Sequence, residues 1–159
     1  MFVKSTLELP VPMDQVTPAI LNTPSHWLRP LLVVSRAQSR LLRAEVGADL
    51  SPRFGRVRLE VHTPTACGDT AFLPFHVHVE DAEEWATFDN VLTAAWLGDR
   101  RTQLALEGCY PRTNWMTPRG QSLLHRVVEA VNRQLLTAVA VELTERRNGP
   151  SLQCTVRPS

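Results

Sequence analysis

Three histidines, His62, His76 and His78, form the one group of residues in this sequence with the chemistry of metal ligands. His76 and His78 are separated by one residue in an alternating run, so on a strand both rings point to the same face. A histidine on the preceding strand could complete a zinc site. The same face also carries two arginines and a glutamate within 56–60. That composition is typical of a solvated outer surface, and the cations oppose metal binding. We therefore expect exposed or interface histidines here and no bound metal.

Polar residues also fall on segments predicted to face the interior, namely Thr63, Asn90 and Tyr110. A buried polar side chain needs a hydrogen-bond partner from the backbone, water or a ligand. In a mostly apolar pocket, a few such groups orient the ligand. The alternative is that Asn90 bonds to the local backbone and that Tyr110 directs its hydroxyl to solvent.

Residues able to act as an acid or a base are sparse on the apolar surfaces. His125 and Asn132 lie at the edge of the apolar face of the predicted C-terminal helix, and Glu142 lies within that face near its far end. His125 could transfer a proton to a substrate, although a histidine at a rim is more often solvated. The sequence has no Ser/His/Asp arrangement, glycine-rich phosphate loop or paired-carboxylate motif. It therefore favours a binding protein over an enzyme and predicts no cofactor.

These residues are positioned by segments in which apolar side chains recur at every second position, the pattern of half-buried strands. The predicted strands are 2–9, 56–63, 75–80, 86–97 and 101–110. The turn predicted at 65–70 contains Gly68 and joins two of these runs into an antiparallel hairpin. Pro74 cannot donate to a ladder, so it marks a bulge or an edge there. The result is a meander with one apolar face.

The remaining elements are predicted helices. Asp14 is a candidate N-cap for the first, and Thr23 followed by Pro24 is a typical start for the second. The segment 35–46 favours a third short helix. The strongest pattern is a broad apolar face along 118–146. At 1.5 Å per residue this helix extends about 40 Å, enough to cross a whole sheet.

The composition is that of an ordinary globular chain. Its 159 residues are 43% hydrophobic and 21% charged, and we place one domain in 1–147 and a loose tail in 148–159. The net charge of +1, from 17 basic and 16 acidic side chains, argues against a nucleic-acid partner. The first residues lack the charged region followed by a continuous apolar run that is typical of a signal peptide, so we expect none. No apolar stretch is long enough for membrane insertion. Three unpatterned cysteines fit free thiols in a reducing compartment, so we expect a cytoplasmic protein.

Specific segments also carry a resemblance to a known family. They are VKSTLELP at 3–10 leading into MDQV at 13–16, RTQLALEGCYP at 101–111, and LHRVVEA at 124–130. In these the chain resembles the SRPBCC superfamily of START-like and polyketide-cyclase-like proteins, and within it actinobacterial members without an assigned reaction. The resemblance covers 2–146. It implies an α+β helix-grip fold, in which a curved antiparallel sheet wraps around a long C-terminal helix and short helices follow the first strand.

The resemblance also implies a cavity between sheet and helix that suits a hydrophobic or aromatic small molecule. The residues expected to line it are Trp27, Phe75, Phe88, Asn90, Trp96, Leu106, Tyr110, Val128, Val131 and Leu135. The first functional hypothesis is the binding of a lipid-like or polyketide-like ligand. The second is a cyclase/aromatase-type or hydratase-type enzyme that uses the polar residues of the cavity. The third is a non-catalytic interaction protein, homodimeric, whose cavity is filled by its own side chains.

Overall fold

The computed structural model describes residues 2–33, 57–80, 85–109 and 118–148. The elements are β1 (Phe2–Leu9), α1 (Met13–Asn22), α2 (24–33), β2 (Val57–Val61), β3 (Thr65–Cys67), β4 (Thr70–Glu80), β5 (Trp85–Gly98), β6 (Arg101–Cys109) and α3 (Pro118–Asn148). The α+β architecture predicted from the sequence is confirmed. The helix predicted at 35–46 lies outside the described residues. So does the predicted tail at 148–159, except for Asn148, which is the last residue of α3.

The strands form one curved antiparallel sheet in the order β1-β6-β5-β4-β2. The strands β4, β5 and β6 follow one another as a meander, as the alternating patterns predict. The first strand returns to the last one, with Phe2 opposite Cys109 and Leu9 opposite Thr102. This pairing joins segments about a hundred residues apart and makes β1 the edge strand on one side of the sheet.

The predicted turn at 65–70 is partly strand. β3 pairs with the beginning of β4, which leaves only Gly68 and Asp69 as the connection. Gly68 has a φ of +57°, a conformation that suits glycine in a two-residue hairpin turn. Pro74 lies opposite the gap between β2 and β3, and its carbonyl accepts the backbone N–H of His62 at 3.0 Å. The missing N–H of this proline therefore falls where the ladder is already interrupted.

The starts of the short helices agree only in part with the sequence. α2 begins at residue 24, as the Thr23–Pro24 pair predicts. α1 begins at Met13 with Pro12 as its N-cap, in extended conformation. The prediction that Asp14 caps this helix is therefore wrong. Asp14 lies in the first turn instead, where its charge is favourable next to the helix dipole.

The helices cover the inner face of the sheet and bury one apolar core. α3 packs mainly on β1 and β6, whereas α1 packs on β4 and β5. With 31 residues, α3 is about 46 Å long and crosses the sheet. The apolar face predicted for it is confirmed at Val128, Val131, Leu135 and Val139. Packing also buries Asn132, which the sequence places at the edge of this face.

Candidate functional site

One end of the interior is tightly sealed. Its side chains have between 0% and 1% of their surface exposed; they are Ile20, Trp27, Leu28, Leu104 and Leu135. The indole of Trp27 donates to the backbone carbonyl of Ala19 at 2.8 Å. This bond fixes α2 on α1. Trp27 is therefore a core residue at the sealed end, and its role in lining a cavity stays a prediction.

The other end of the interior is more polar and less tightly closed. Strand register aligns Val3, Gly108, Asn90 and Phe75 in one row across four strands. Gly108 has no side chain, so between Val3 and Asn90 the sheet contributes only backbone to the inner face. We call this region the polar end. It consists of Val3, Ser5, Phe88, Asn90, Gly108, Val128, Val131 and Asn132.

The polar groups of this end differ in how well they are satisfied. The amide nitrogen of Asn90 donates to the carbonyl of Phe88 at 2.9 Å, which agrees with the local-backbone alternative. In contrast, the Ser5 hydroxyl and the Asn132 amide nitrogen have no hydrogen-bond partner among the described residues. Ser5 is 8% exposed on β1 and Asn132 is 2% exposed on α3, and these two elements pack together. Leaving such a group buried and unpaired costs about 1–3 kcal/mol.

The structure places the other predicted lining residues in three ways. Seven of them are buried in the interior, although their role as ligand contacts stays a prediction. These seven are Phe75, Phe88, Asn90, Leu106, Val128, Val131 and Leu135. Trp96 is 52% exposed, so its predicted inward placement is wrong. Trp96 lies on the same face of β5 as Ala94, but it is at the end of the sheet next to a register shift. Tyr110 lies outside the described residues.

Two further candidates from the sequence are exposed. Thr63 lies beyond the end of β2, and His125 lies on the solvent side of α3. Within the described ranges the buried polar side chains are Ser5, Asn90, Thr102 and Asn132, and none of these ionises. The acid-base hypothesis therefore gains no candidate from this part of the interior. Asn132 is the residue that sequence reasoning undervalued, because its position at the edge of the helical face did not reveal its burial.

Known structures match this chain over most of its length. A conserved protein from Geobacillus kaustophilus aligns with a TM-score of 0.54 and 12% identity, covering 91% of this chain and 96% of that chain. The Zhui aromatase/cyclase from Streptomyces sp. R1128 has a TM-score of 0.42 and 17% identity, with 92% and 95% covered. A START superfamily protein from Mycobacterium smegmatis has a TM-score of 0.39 and 11% identity, with 89% and 98% covered. No family model and no curated protein matches the chain.

A six-stranded antiparallel sheet that curves around a long C-terminal helix is the deciding feature. This chain has the helix-grip fold. The α+β helix-grip fold that the sequence resemblance implies is thereby confirmed. Among the described parts of the helix-grip domain, none of the helices is both long enough and apolar enough to cross a bilayer.

The long helix of the helix-grip domain is held to α2 by a charged contact near its C-terminal end. The Glu142 carboxylate accepts hydrogen bonds from the His26 ring and, at 2.9 Å, from Arg146. The guanidinium of Arg146 also lies 4.8 Å from the centre of the Trp27 ring, a cation–π distance. Burial raises the pKa of Glu142, but the hydrogen bonds from His26 and Arg146 outweigh this and leave its pKa below the ordinary value.

The three histidines His62, His76 and His78 lie on the outer face of the helix-grip sheet. The ring centres of His62 and His76 are 4.4 Å apart, and those of His76 and His78 are 6.1 Å apart. Glu60 lies next to them, and the hydrogen bond from His78 holds the pKa of this carboxyl below its usual value. The prediction that these residues share one outer face is confirmed. The sequence did not reveal that Thr87 and Asp89 of β5 join the group.

Both cysteines in the described part of the helix-grip domain, Cys67 and Cys109, are exposed free thiols. This agrees with the expectation of unpaired cysteines at these two positions. Cys154 lies outside the described residues.

Proposed function

We propose that this protein binds an apolar or aromatic small molecule, lipid-like or polyketide-like, between the sheet and α3 at the polar end. The observation that carries the proposal is a pair of buried polar groups on elements that pack together, the Ser5 hydroxyl and the Asn132 amide nitrogen. Neither has a hydrogen-bond partner within the described part of the chain. Buried polar groups in proteins nearly always have a partner. A ligand oxygen between β1 and α3 supplies that partner.

The surroundings of these two groups favour a mostly apolar ligand body. Val3, Phe88 and Val128 are buried. However, 9% of the surface of Phe88 and 8% of the surface of Val128 are exposed to solvent, more than for the sealed residues of the other end. Gly108 adds no side chain to the same region. Ligand pockets typically combine such apolar walls with a few placed polar groups.

The two unpartnered groups of the polar end, an amide and a hydroxyl, indicate which classes of ligand this end can bind. The Asn132 amide can donate to a ligand oxygen, and the Ser5 hydroxyl can donate or accept. Neither carries a charge, and a carboxylate buried without a cation is strongly disfavoured. We therefore favour a ligand with a neutral oxygen, such as a ketone, a phenol or an alcohol, over a free fatty acid.

The experiment uses purified protein and three probes, dodecanol, dodecanoate and benzophenone, in isothermal titration calorimetry. Dodecanol and dodecanoate have the same chain and differ in the charge of the oxygenated end. We expect benzophenone and dodecanol to bind, and dodecanoate to bind at least about tenfold more weakly, a difference of about 1.4 kcal/mol. Native mass spectrometry of protein purified from its own host shows in addition whether a neutral metabolite co-purifies.

A matched pair of substitutions on α3 locates the site. Val128→Phe fills space at the polar end, so it should abolish probe binding while the domain stays folded. Val139→Phe lies in the sealed core, 1% exposed, where overpacking costs about 1–3 kcal/mol. If Val128→Phe destabilises as much as Val139→Phe and none of the probes binds, the interior is filled by its own side chains. That result would refute the proposal and favour the interaction-protein hypothesis.

A further inference from the structure

The outer face of the sheet gathers polar groups from three adjacent strands. Strand register places Glu60 of β2 opposite His76 of β4, and His76 opposite Asp89 of β5. His78 lies opposite Thr87 in the next outward-facing row. We call these five residues, together with His62, the outer cluster. It lies on the face opposite the polar end, so it is independent of the proposed ligand site.

His78 is oriented in the way that metal-binding histidines are. Its Nδ1 lies 3.1 Å from the Thr87 hydroxyl, and its Nε2 lies 2.9 Å from a carboxylate oxygen of Glu60. With a proton on Nε2, the ring donates to Glu60. With a metal ion on Nε2, the proton moves to Nδ1 and Thr87 accepts it, since a hydroxyl can do either. A partner on the second nitrogen fixes the ring orientation that metal binding needs.

His76 is held in a similar way between two neighbours. Its Nε2 lies 3.3 Å from a carboxylate oxygen of Asp89. Its Nδ1 lies 3.2 Å from Nε2 of His62. A carboxylate that accepts from one nitrogen of a histidine raises the basicity of the other, and this arrangement is common around metal sites.

We infer that Glu60, His76 and His78 bind a divalent transition-metal ion, with Zn²⁺ as the best match. One ligand atom from each of the three lies within 4.8 Å of the others. Ligands of a tetrahedral zinc ion lie about 3.3 Å apart for bonds of about 2.0–2.1 Å. The inference requires that these partly exposed side chains rotate to bring their ligand atoms closer together. Two histidines and a glutamate are a ligand set that zinc sites use, with water at the remaining position.

The charge around the cluster also supports a cation. From the sequence, the arginines of 56–60 argue against a metal. In the structure Arg58 is exposed and lies opposite His78 on β2. Asp89, which the sequence does not connect with the histidines, contributes a second carboxylate besides Glu60. Among the described residues these two carboxylates outnumber the one guanidinium, so the cluster attracts a cation when the histidines are neutral.

Calorimetric titration with Zn²⁺ of tag-free protein tests the inference. One equivalent should bind to the wild-type protein. His78→Ala and Glu60→Gln should each lower the affinity more than about 100-fold, and Thr87→Val about 10-fold to 100-fold, as outer-shell partners do. The matched control is His125→Ala, an exposed histidine on α3, which should bind as wild type does. Melting temperatures without metal show that each variant is folded.

Titration with Co²⁺ supplies a second readout that does not depend on heat. Binding by nitrogen and oxygen ligands gives visible absorption bands that disappear in His78→Ala. A near-ultraviolet thiolate band, which Cys109→Ser removes, would place the metal on a cysteine and overturn the inference. Equal Zn²⁺ affinity of wild type and His78→Ala, or no binding by wild type at millimolar Zn²⁺, would overturn it as well.

Discussion

Replacing Asn132 with leucine should make the free protein more stable. Leucine has nearly the shape of asparagine but no polar atoms, so the substitution removes the buried amide nitrogen that has no partner among the described residues. Removing that penalty contributes about 1–3 kcal/mol to the free energy of unfolding. The better helix propensity of leucine within α3 adds up to about 0.5 kcal/mol. We therefore expect a gain of roughly 1.5–3 kcal/mol, whereas most single substitutions destabilise.

Urea unfolding followed by tryptophan fluorescence measures this gain as a shift in the midpoint at constant slope. In a thermal melt, a chain of this length should gain roughly 3–12 °C, at about 2–4 °C per kcal/mol. The matched control is Asn90→Leu, on β5. Its amide is satisfied by the carbonyl of Phe88 at 2.9 Å, so this substitution should cost about 1 kcal/mol instead.

The same variant links stability to the proposed function. If Asn132 is retained to contact a ligand, Asn132→Leu should gain stability and lose affinity for benzophenone, the usual trade-off at a functional site. A neutral or destabilising effect of Asn132→Leu would mean that the amide already has a partner. The amide of Asn132 would then no longer support a ligand at the polar end.

Three further predictions concern the framework of the domain. Thr102→Val removes the 2.7 Å hydrogen bond to the carbonyl of Val11 and should lower the unfolding free energy by about 1–3 kcal/mol, measured by urea titration. Gly68→Ala should cost about 1–2 kcal/mol, because φ at this position is +57° and only open space surrounds it. Gly68→Asn should cost less, since asparagine tolerates this conformation; equal melting temperatures of both variants and wild type would contradict the reasoning. Because the folded-state pKa of Glu142 is depressed below 4.5, its bond with His26 stabilises the protein above that pH and is lost as the pH falls through the depressed pKa. The difference in melting temperature between wild type and Glu142→Gln should therefore be small but measurable at neutral pH, since exposed pairs contribute under about 1 kcal/mol. It should shrink as the pH falls below 4.5; a difference that stays constant would contradict the prediction.

The elements with a clear local period are predictable from the sequence because the cause of their structure is local. Apolar residues at every second position specify the inner face of β4, β5 and β6, whichever strands they pair with. The long apolar stripe of α3 likewise requires a sheet to cover it. β3 has only three residues, Thr65–Cys67. This is too few to show a period, so the sequence predicts a turn over the whole of 65–70.

The position of a residue along an element, as opposed to its face, depends on the ends of the neighbouring elements. Trp96 has the phase of an inward residue, yet the sheet ends there and leaves it half exposed. Thr63 is exposed for the same reason at the end of β2. Asn132 shows the opposite case, because the fit of α3 on β1 buries a residue at the edge of the helical face.

The sequence by itself thus determined the antiparallel meander, the long terminal helix and the two faces of each strand, because hydrophobic periodicity is set by residues close together in the chain. Only the tertiary structure decided which polar groups meet. Pairing of β1 with β6 and packing of α3 put Ser5 near the helix that carries Asn132. The register of β4 with β5 brought Asp89 to His76. Both of these meetings of polar groups arise from contacts between segments far apart in the chain. The local sequence does not indicate which distant residue is the partner.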